Sequence, residues 1–280
     1  MIGSSFATSV PWLATASLGS AAIVVAAWRL KALTASGAIA AFFVGVACLG
    51  CGGLPIAAPL FAFFLSGSLL SRAHSAHPGA FDDVQQKRGA RDAVQVLANG
   101  GAAAACAVAA GLLSRIAPGF APAWYAASVG ALAVAAADTW ATEIGARSST
   151  PPRSIATGRV VLPGLSGGVT LLGLLASIGG AVTIGAAAAA FSPEMRSAAW
   201  IATYAAIGFV GAAFDSVLGG TLQGAWHCDR CDAPCETDAH RCGALARLVR
   251  GWSWLDNDDV NALATVAGAV LSFAASTFVA

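Results

Sequence analysis

The feature that most constrains this chain is its succession of apolar stretches, each close to 20 residues long. A helix needs roughly 20 apolar residues to cross the hydrocarbon core of a bilayer. Eight stretches of this kind are present, at 8–28, 33–52, 54–71, 93–113, 121–142, 164–190, 199–226 and 259–280. Apolar and polar residues do not alternate over ten-residue blocks, which argues against an outer-membrane barrel. We therefore predict an all-α fold, a polytopic bundle of about eight transmembrane helices that forms a single domain over residues 1–280.

The composition excludes several classes of protein. Only 10% of the residues are charged, against about 25% in an ordinary soluble domain, which excludes a soluble globular enzyme and a disordered chain. The net charge of +1 gives no basic face for binding nucleic acid, so no nucleic-acid partner is expected. The chain has no Lys or Arg before Arg29 and lacks the basic start of a cleaved signal peptide. We expect the first span to be retained.

The distribution of basic residues predicts the topology. With eight spans, 13 of the 15 Lys and Arg residues fall in the odd-numbered loops, and basic loops are typical of the cytoplasmic side. The odd loops, including the hydrophilic segments 72–92 and 227–258, are therefore predicted to be cytoplasmic, with both termini outside. The turn at Cys51–Pro55 allows an alternative in which the second and third spans form one broken helix, but this would put basic loops on both sides. We expect the protein in the cell (inner) membrane.

Polar side chains inside membrane spans are costly and usually mark a site. Four groups of them occur at the predicted cytoplasmic ends of four spans: Gln95 and Asn99; Asp138, Thr139, Thr142 and Glu143; Asp215, Ser216, Thr221 and Gln223; Asp256, Asn257, Asp258, Asp259 and Asn261. Helix capping is an alternative that suits Asp256 and Asn257. It suits Asp138 and Asp215 poorly, because acidic residues at helix C-termini oppose the helix dipole. We therefore interpret these two aspartates as functional.

The residue types in these groups predict a magnesium–phosphate site. Carboxylates and amides are hard oxygen ligands that suit Mg²⁺ and its partner phosphates. We predict that Asp138 and Asp215 hold Mg²⁺, with Glu143 and Asp258 as further catalytic acids. The candidates for binding phosphate or substrate at the same face are Arg88, Arg91, Gln95, Asn99, Arg159 and Asn261.

The glycine-rich segment 158–170 leads into the sixth span. Free backbone N–H groups at a helix N-terminus form an anion site, so Ser166 and Gly167 are predicted to contact phosphate, although the spacing is not that of a P-loop. A flexible loop with glycines for close helix packing is the alternative. Together, the carboxylates, arginines and glycines predict phosphoryl or nucleotidyl transfer at a membrane face. A lipid monophosphate acceptor is already anionic, so neutralisation by Mg²⁺ and Arg should matter most.

Four of the seven cysteines lie in one hydrophilic loop, within 227–258. Cys228 and Cys231 are followed by His240 and Cys242 at a spacing that resembles zinc ribbons. Cys235 is a substitute ligand, and a redox pair or uncomplexed thiols are the alternative to a metal site. A cytoplasmic loop argues against structural disulfides. We predict a structural Zn²⁺ that clamps the loop preceding the eighth span.

Five segments resemble one family of membrane proteins. They are Gln95–Gly101, Ala137–Gly145, Phe214–Gln223, the Cys/His loop and Trp254–Asn261. Through these motifs the chain is similar to the family of transmembrane protein 19 and the chloroplast phytyl-phosphate kinases. The resemblance implies a kinase that uses a nucleoside triphosphate, CTP or ATP, to convert a prenyl monophosphate of the phytyl or geranylgeranyl type to its diphosphate. A looser similarity of Asp138–Gly145 and the glycine-rich segment to CTP-using phytol and dolichol kinases favours CTP.

Two other classes of function stay open. One is a related enzyme, a CTP-dependent lipid nucleotidyltransferase or a polyprenol kinase, and the other is a transporter or scaffold without enzymatic activity. A transporter should place charged residues near the bilayer midplane, whereas here they collect at one face. Product analysis with a labelled nucleotide separates the two enzymes.

Overall fold

The computed structural model describes residues 9–75 and 89–279. Within these ranges eight helices are long and apolar enough to cross a membrane. In chain order they are α1 (Val10–Arg29), α2 (Ala35–Gly52), α3 (Leu54–Ser75), α4 (Ala93–Ile116), α5 (Ala121–Gly145), α6 (Leu171–Phe191), α7 (Ala198–Thr221) and α8 (Asn257–Val279). The prediction of a helical membrane bundle is confirmed.

The packing of α2 and α3 excludes one continuous broken helix. Gly53 separates the two helices with a φ of 65°, a left-handed conformation that favours glycine. At the start of α2, the backbone N–H of Thr34 donates to the carbonyl of Arg91, 3.0 Å away. Near the end of α3, the ideal Cβ position of Gly67 lies 2.8 Å from Nη2 of the same arginine. The two helices are therefore antiparallel, and the broken-helix alternative is wrong.

Helix α5 is the centre of the bundle. Every residue from Tyr125 to Ala137 is buried, and α3, α4, α6, α7 and α8 all pack against this helix. Its run of alanines and one glycine permits close helix approach, as where Gly130 meets the backbone of Gly268 on α8. Because α5 is surrounded on all sides, the polar residues of its last two turns lie in the middle of one end of the bundle.

Among the described residues, five short strands accompany the helices, and the all-α prediction did not include them. They are β1 (Arg153–Ser154), β2 (Gly168–Val169), β3 (Ala225–Cys228), β4 (Ala233–Cys235) and β5 (Arg247–Arg250). β1 and β2 pair antiparallel between α5 and α6, and the others form a three-stranded sheet in the order β4-β3-β5 between α7 and α8. Arg250 donates from Nη2 to the carbonyl of Gly219, 2.8 Å away, which fixes this sheet to the end of α7.

Two predicted span boundaries are wrong. The sixth span begins at Leu171 instead of 164, because the Thr170 hydroxyl caps the helix by accepting from the N–H of Gly173 at 3.0 Å. The seventh span ends at Thr221 instead of 226, because Trp226 belongs to β3. The apolar residues on the far side of each boundary form loops and strands beside the polar end of the bundle.

Candidate functional site

A cavity of about 570 Å³ lies at the end of the bundle where α5 and α7 finish and where α4, α6 and α8 begin. Its polar lining includes the side chains of Arg91, Gln95, Asn99, Asp138, Thr139, Glu143, Ser166, Asp215, Ser216, Glu236, Asp256, Asp258 and Asn261. All four polar groups found in the sequence therefore contribute to one cavity. Residues more than 150 positions apart in the chain meet there because the helices alternate in direction.

Asp138 and Asp215 form the acidic centre of the cavity. Asp138 lies on α5 and Asp215 on α7, close enough for their carboxylates to repel each other. Oδ2 of Asp215 is buried and accepts no hydrogen bond from any of the residues that the structure describes. A buried carboxylate oxygen without a donor is costly unless a cation satisfies it. The oxygen-only donor set and this unsatisfied atom fit a hard cation such as Mg²⁺.

Glu236, which the sequence analysis missed, adds a further carboxylate. It follows β4 in the Cys/His loop and accepts a 2.8 Å hydrogen bond at Oε1 from the Ser166 hydroxyl. Gln223 donates from Nε2 to that hydroxyl oxygen at 3.0 Å. Burial raises the pKa of Glu236, the hydrogen bond from Ser166 opposes this shift, and Asp256 and Asp258 reinforce it. This chain of contacts holds the Cys/His loop against the cavity.

The first turn of α8 combines a cap with two cavity residues. The Asp256 carboxylate accepts from the backbone N–H groups of Asp258 and Asp259 at 2.8 and 3.1 Å. The capping interpretation is therefore right for Asp256. Asp258 and Asn261 instead turn inward, are buried and line the cavity. Asn261 donates to the carbonyl of Asn257 at 2.9 Å, which fixes its amide beside the acidic cluster.

Arg91 supplies positive charge at the edge of the same cavity. Its backbone N–H donates to the carbonyl of Ala32 at 3.0 Å, and its carbonyl accepts from Thr34, so the loop between α1 and α2 fixes its position. The guanidinium carbon lies 5.5 Å from the ring centroid of Phe63. Partial burial lowers the pKa of Arg91, and the carboxylate of Glu143 opposes that shift. The result is a fixed cation facing the acidic groups.

Gln95 and Asn99 lie on the first turns of α4 and line the cavity. Gln95 also completes a capping box, since its Oε1 accepts from the N–H of Asp92 at 3.1 Å while Asp92 accepts from the N–H of Gln95. Asn99 donates from Nδ2 to the carbonyl of Gln95 at 3.0 Å. The capping box was not predicted, although the spacing of Asp92 and Gln95 is its usual signal.

The glycine-rich loop packs against the end of α7. Gly167 has a φ of 84°, and a Cβ there would collide with the backbone of Gly220. Ser166, Gly167 and the first turn of α6 all line the cavity. Close packing, the alternative interpretation, therefore describes Gly167, and the same packing brings the N-terminus of α6 to the acidic centre.

The predicted metal ligands of the Cys/His loop come together. The ligand atoms of Cys228, Cys231, His240 and Cys242 all lie within 4.8 Å of one another. Nδ1 of His240 lies 3.2 Å from Sγ of Cys242, and this contact lowers the pKa of Cys242 to about 6, which favours the thiolate. Cys235 lies outside the cluster, with its Sγ donating to the carbonyl of Thr237 at 3.4 Å. Three sulfurs and one imidazole nitrogen fit tetrahedral Zn²⁺, so a candidate metal site is present.

Comparison with known proteins finds similarity over most of the chain. Residues 18–269 match the sequence profile of the family described as integral membrane protein DUF92. The chain belongs to that family. Protein PGR of Arabidopsis thaliana is similar to this DUF92 protein, at 28% identity over an aligned length of 277 residues, with 93% of this chain and 94% of the plant protein covered. No solved structure gives a significant match. The family resemblance seen in the motifs is confirmed, and it establishes an integral, multi-pass membrane protein.

One predicted phosphate ligand of this DUF92 protein does not line the cavity that the structure describes. Arg159 is exposed in the loop between β1 and β2 and is absent from the cavity lining, so its role in binding phosphate stays a prediction that this geometry does not support. The Arg159 carbonyl accepts from the N–H of Ser154 at 2.8 Å, which closes a local turn over residues 154–159. Arg88 lies outside the described residues.

Proposed function

We propose that this protein is a membrane-embedded phosphotransferase that converts a prenyl monophosphate to its diphosphate with a nucleoside triphosphate and Mg²⁺. The observation that carries the proposal is the cavity in which Asp138, Asp215 and Arg91 meet at one end of a membrane bundle. Phosphoryl transfer requires acidic groups that hold a cation, a fixed arginine that binds an anion, and a helix N-terminus. The family resemblance supplies the prenyl substrate and CTP as the favoured donor.

The proposed reaction needs no general base. An oxygen of the prenyl monophosphate attacks the γ-phosphorus, and the bond from that phosphorus to the β–γ bridging oxygen breaks. The electron pair leaves on the nucleoside diphosphate, and the new phosphoanhydride bond gives the prenyl diphosphate. The acceptor oxygen is already anionic, so the main barrier is the approach of two anions.

Each group of cavity residues has a role in this proposal. Asp138 and Asp215 hold Mg²⁺, with Glu143, Glu236 and Asp258 as neighbouring acids. Bound Mg²⁺ supplies charge neutralisation on the donor phosphates and polarises the phosphoryl group. Arg91 neutralises the acceptor phosphate, and the amides of Gln95, Asn99 and Asn261 orient the phosphate oxygens. Ser166 and the start of α6 contact the donor phosphates.

The test is a product assay with the purified protein in lipid nanodiscs. Nucleotides labelled at the α- or the γ-phosphate are incubated with geranylgeranyl phosphate and Mg²⁺. We expect γ-label, and no α-label, in geranylgeranyl diphosphate. Transfer of α-label with release of pyrophosphate would instead identify a lipid nucleotidyltransferase. Failure of transfer with CTP, ATP, GTP and UTP, from protein that remains monodisperse, would favour a transporter or scaffold.

We further propose that the cavity faces the cytoplasm in the inner membrane, and the bias of basic residues toward the odd loops supports this orientation. The exposed positions Thr157 and Gly119 lie in loops at opposite ends of the bundle. A Thr157→Cys variant should resist a membrane-impermeant maleimide on intact spheroplasts, whereas Gly119→Cys should react. The reverse pattern would overturn the orientation.

We also propose that the cluster of Cys228, Cys231, His240 and Cys242 holds one structural Zn²⁺. The sulfur and nitrogen donors and their mutual distances support it. The cluster lies on the loop that carries Glu236 to Ser166, so zinc would stabilise one wall of the cavity. A structural zinc site contributes directly to the folding of the segment that binds it.

Metal analysis distinguishes the zinc ligands from the neighbouring thiol. Wild-type protein purified without chelators should contain one zinc per chain, and Cys228→Ser should lose it. Cys235→Ser is the matched control, because Cys235 is equally buried but lies outside the cluster, and it should keep the metal. Wild-type protein without zinc, or a full equivalent in Cys228→Ser, would refute the site.

A further inference from the structure

A second, apolar cleft of about 120 Å³ lies within the half of the bundle formed by α1 to α4. Its walls include Ile23 of α1, Val44 and Leu49 of α2, and Leu60, Phe61 and Phe63 of α3. None of these side chains carries a polar group, so the cleft suits a hydrocarbon chain.

The cleft and the acidic cavity meet at one layer of side chains. Arg91, Gln95 and Asn99 line both spaces. Phe63 is buried in the cleft beneath the Arg91 guanidinium, 5.5 Å from the centre of its ring. A molecule that fills both spaces would have an anionic group at Arg91 and an apolar chain running into the membrane.

The cleft is accessible from the surface that the bundle presents to lipid. Ile23 is 45% exposed and Phe61 is 46% exposed, although both line the cleft. Ala41 and Leu49, which also line it, are eight residues apart on α2, a depth of about 12 Å along the helix axis. An apolar chain can therefore enter sideways from the bilayer without passing through the polar cavity.

We propose that this cleft binds the hydrocarbon chain of a single-chain lipid phosphate, the acceptor, and that Arg91, Gln95 and Asn99 hold its phosphate. This inference rests on the proposed function, and it assigns the two substrates to different sides of the site. The acceptor lies on the α1–α4 side, and the donor lies across the carboxylates beside Ser166 and α6. The cleft is much smaller than the polar cavity, about 120 Å³ against about 570 Å³, so we expect it to favour a single prenyl chain over the paired chains of a diacyl lipid.

Photolabelling tests the location without requiring turnover. The probe is geranylgeranyl phosphate with a diazirine on the second isoprene unit, added to wild-type protein in nanodiscs. We expect adducts on residues of α1 to α4 that line the cleft, with competition by unlabelled geranylgeranyl phosphate and none by dioleoyl phosphatidic acid. Adducts confined to other helices would overturn the proposal, and equal competition by phosphatidic acid would overturn the single-chain selectivity.

Filling the cleft provides the kinetic test. Ala57→Phe and Ala41→Phe place a ring in it from two different walls, and Ala22→Phe is the matched control on the exposed face of α1. Both cleft variants should raise the KM for the prenyl phosphate about tenfold or more, while the KM for the nucleotide stays unchanged. Ala22→Phe should leave both constants at the wild-type values.

The outcomes separate the cleft from the proposed function. An active kinase whose acceptor KM is unchanged in a monodisperse cleft variant would refute the cleft and leave the reaction standing. Cleft labelling in a protein that transfers no phosphate would refute the reaction and leave the lipid site standing. If one Phe variant does not fold, the other variant and the wild-type labelling still decide the matter.

Discussion

Replacing Asp138 or Asp215 with asparagine should lower the turnover of prenyl phosphate by roughly 10²-fold or more, the scale for loss of one electrostatic stabiliser. Asparagine keeps the size and the hydrogen-bonding oxygen but removes a charge that, in the proposed function, holds Mg²⁺. Detergent stability should barely change, because each substitution removes a repulsion between two carboxylates and not an attraction. Steady-state kinetics and a thermal melt of each variant check both halves of this expectation.

Asp238→Asn is the matched control for these variants. Asp238 is exposed in the Cys/His loop and does not line the cavity, so the same change in charge should leave turnover at the wild-type level. Wild-type turnover in both Asp138→Asn and Asp215→Asn would rule out the acidic centre. Loss of folding in both would show that the aspartates are structural.

Arg91→Ala should also lower turnover by about 10²-fold, since it removes the fixed cation at the layer shared by the cavity and the cleft. Arg91→Lys should recover part of the activity, because it restores the charge but not the planar, two-pronged geometry of the guanidinium. Kinetics with the acceptor varied at saturating nucleotide should show the defect in both kcat and the acceptor KM.

Arg159→Ala provides a sharp contrast, because the sequence alone places Arg91 and Arg159 in the same group. Arg159 is exposed and outside the cavity lining, so its removal should change turnover less than twofold, within the small effect typical of an exposed charge. Equal losses in Arg91→Ala and Arg159→Ala would mean that the loop between β1 and β2 closes over the substrate, and the assignment of Arg91 as the principal phosphate ligand would fail.

The helices were predictable because their signal is local. A span is a long apolar stretch, and the positive-inside bias fixes how consecutive spans alternate, so the polar clusters were expected at one end. Asp138 and Asp215 stood out because a carboxylate at a helix C-terminus is unfavourable by itself. The spacing of the cysteines and the histidine likewise indicated a metal site. Only the geometry excluded Cys235 from the set of ligands.

What the sequence could not predict depends on contacts between distant segments. Glu236 is one acid in a loop with several, and its role becomes visible only through its hydrogen bond with Ser166, 70 positions earlier. Arg159 is the opposite case, because it lies in the same loop as the cavity residues Ser166 and Gly167 but is itself exposed and outside the cavity lining. The short strands were missed because two- to four-residue segments carry little periodicity.

The position of α8 has a consequence for how the protein is made. α8 is the last of the described helices, yet it supplies Asp258 and Asn261 to the cavity, and its Thr265 donates to the carbonyl of Ala98 on α4 at 3.0 Å. During synthesis, α5 and α7 therefore enter the membrane with their aspartates before this wall exists. α8 must therefore emerge from the ribosome and pack between helices made much earlier before a nascent chain has a complete site.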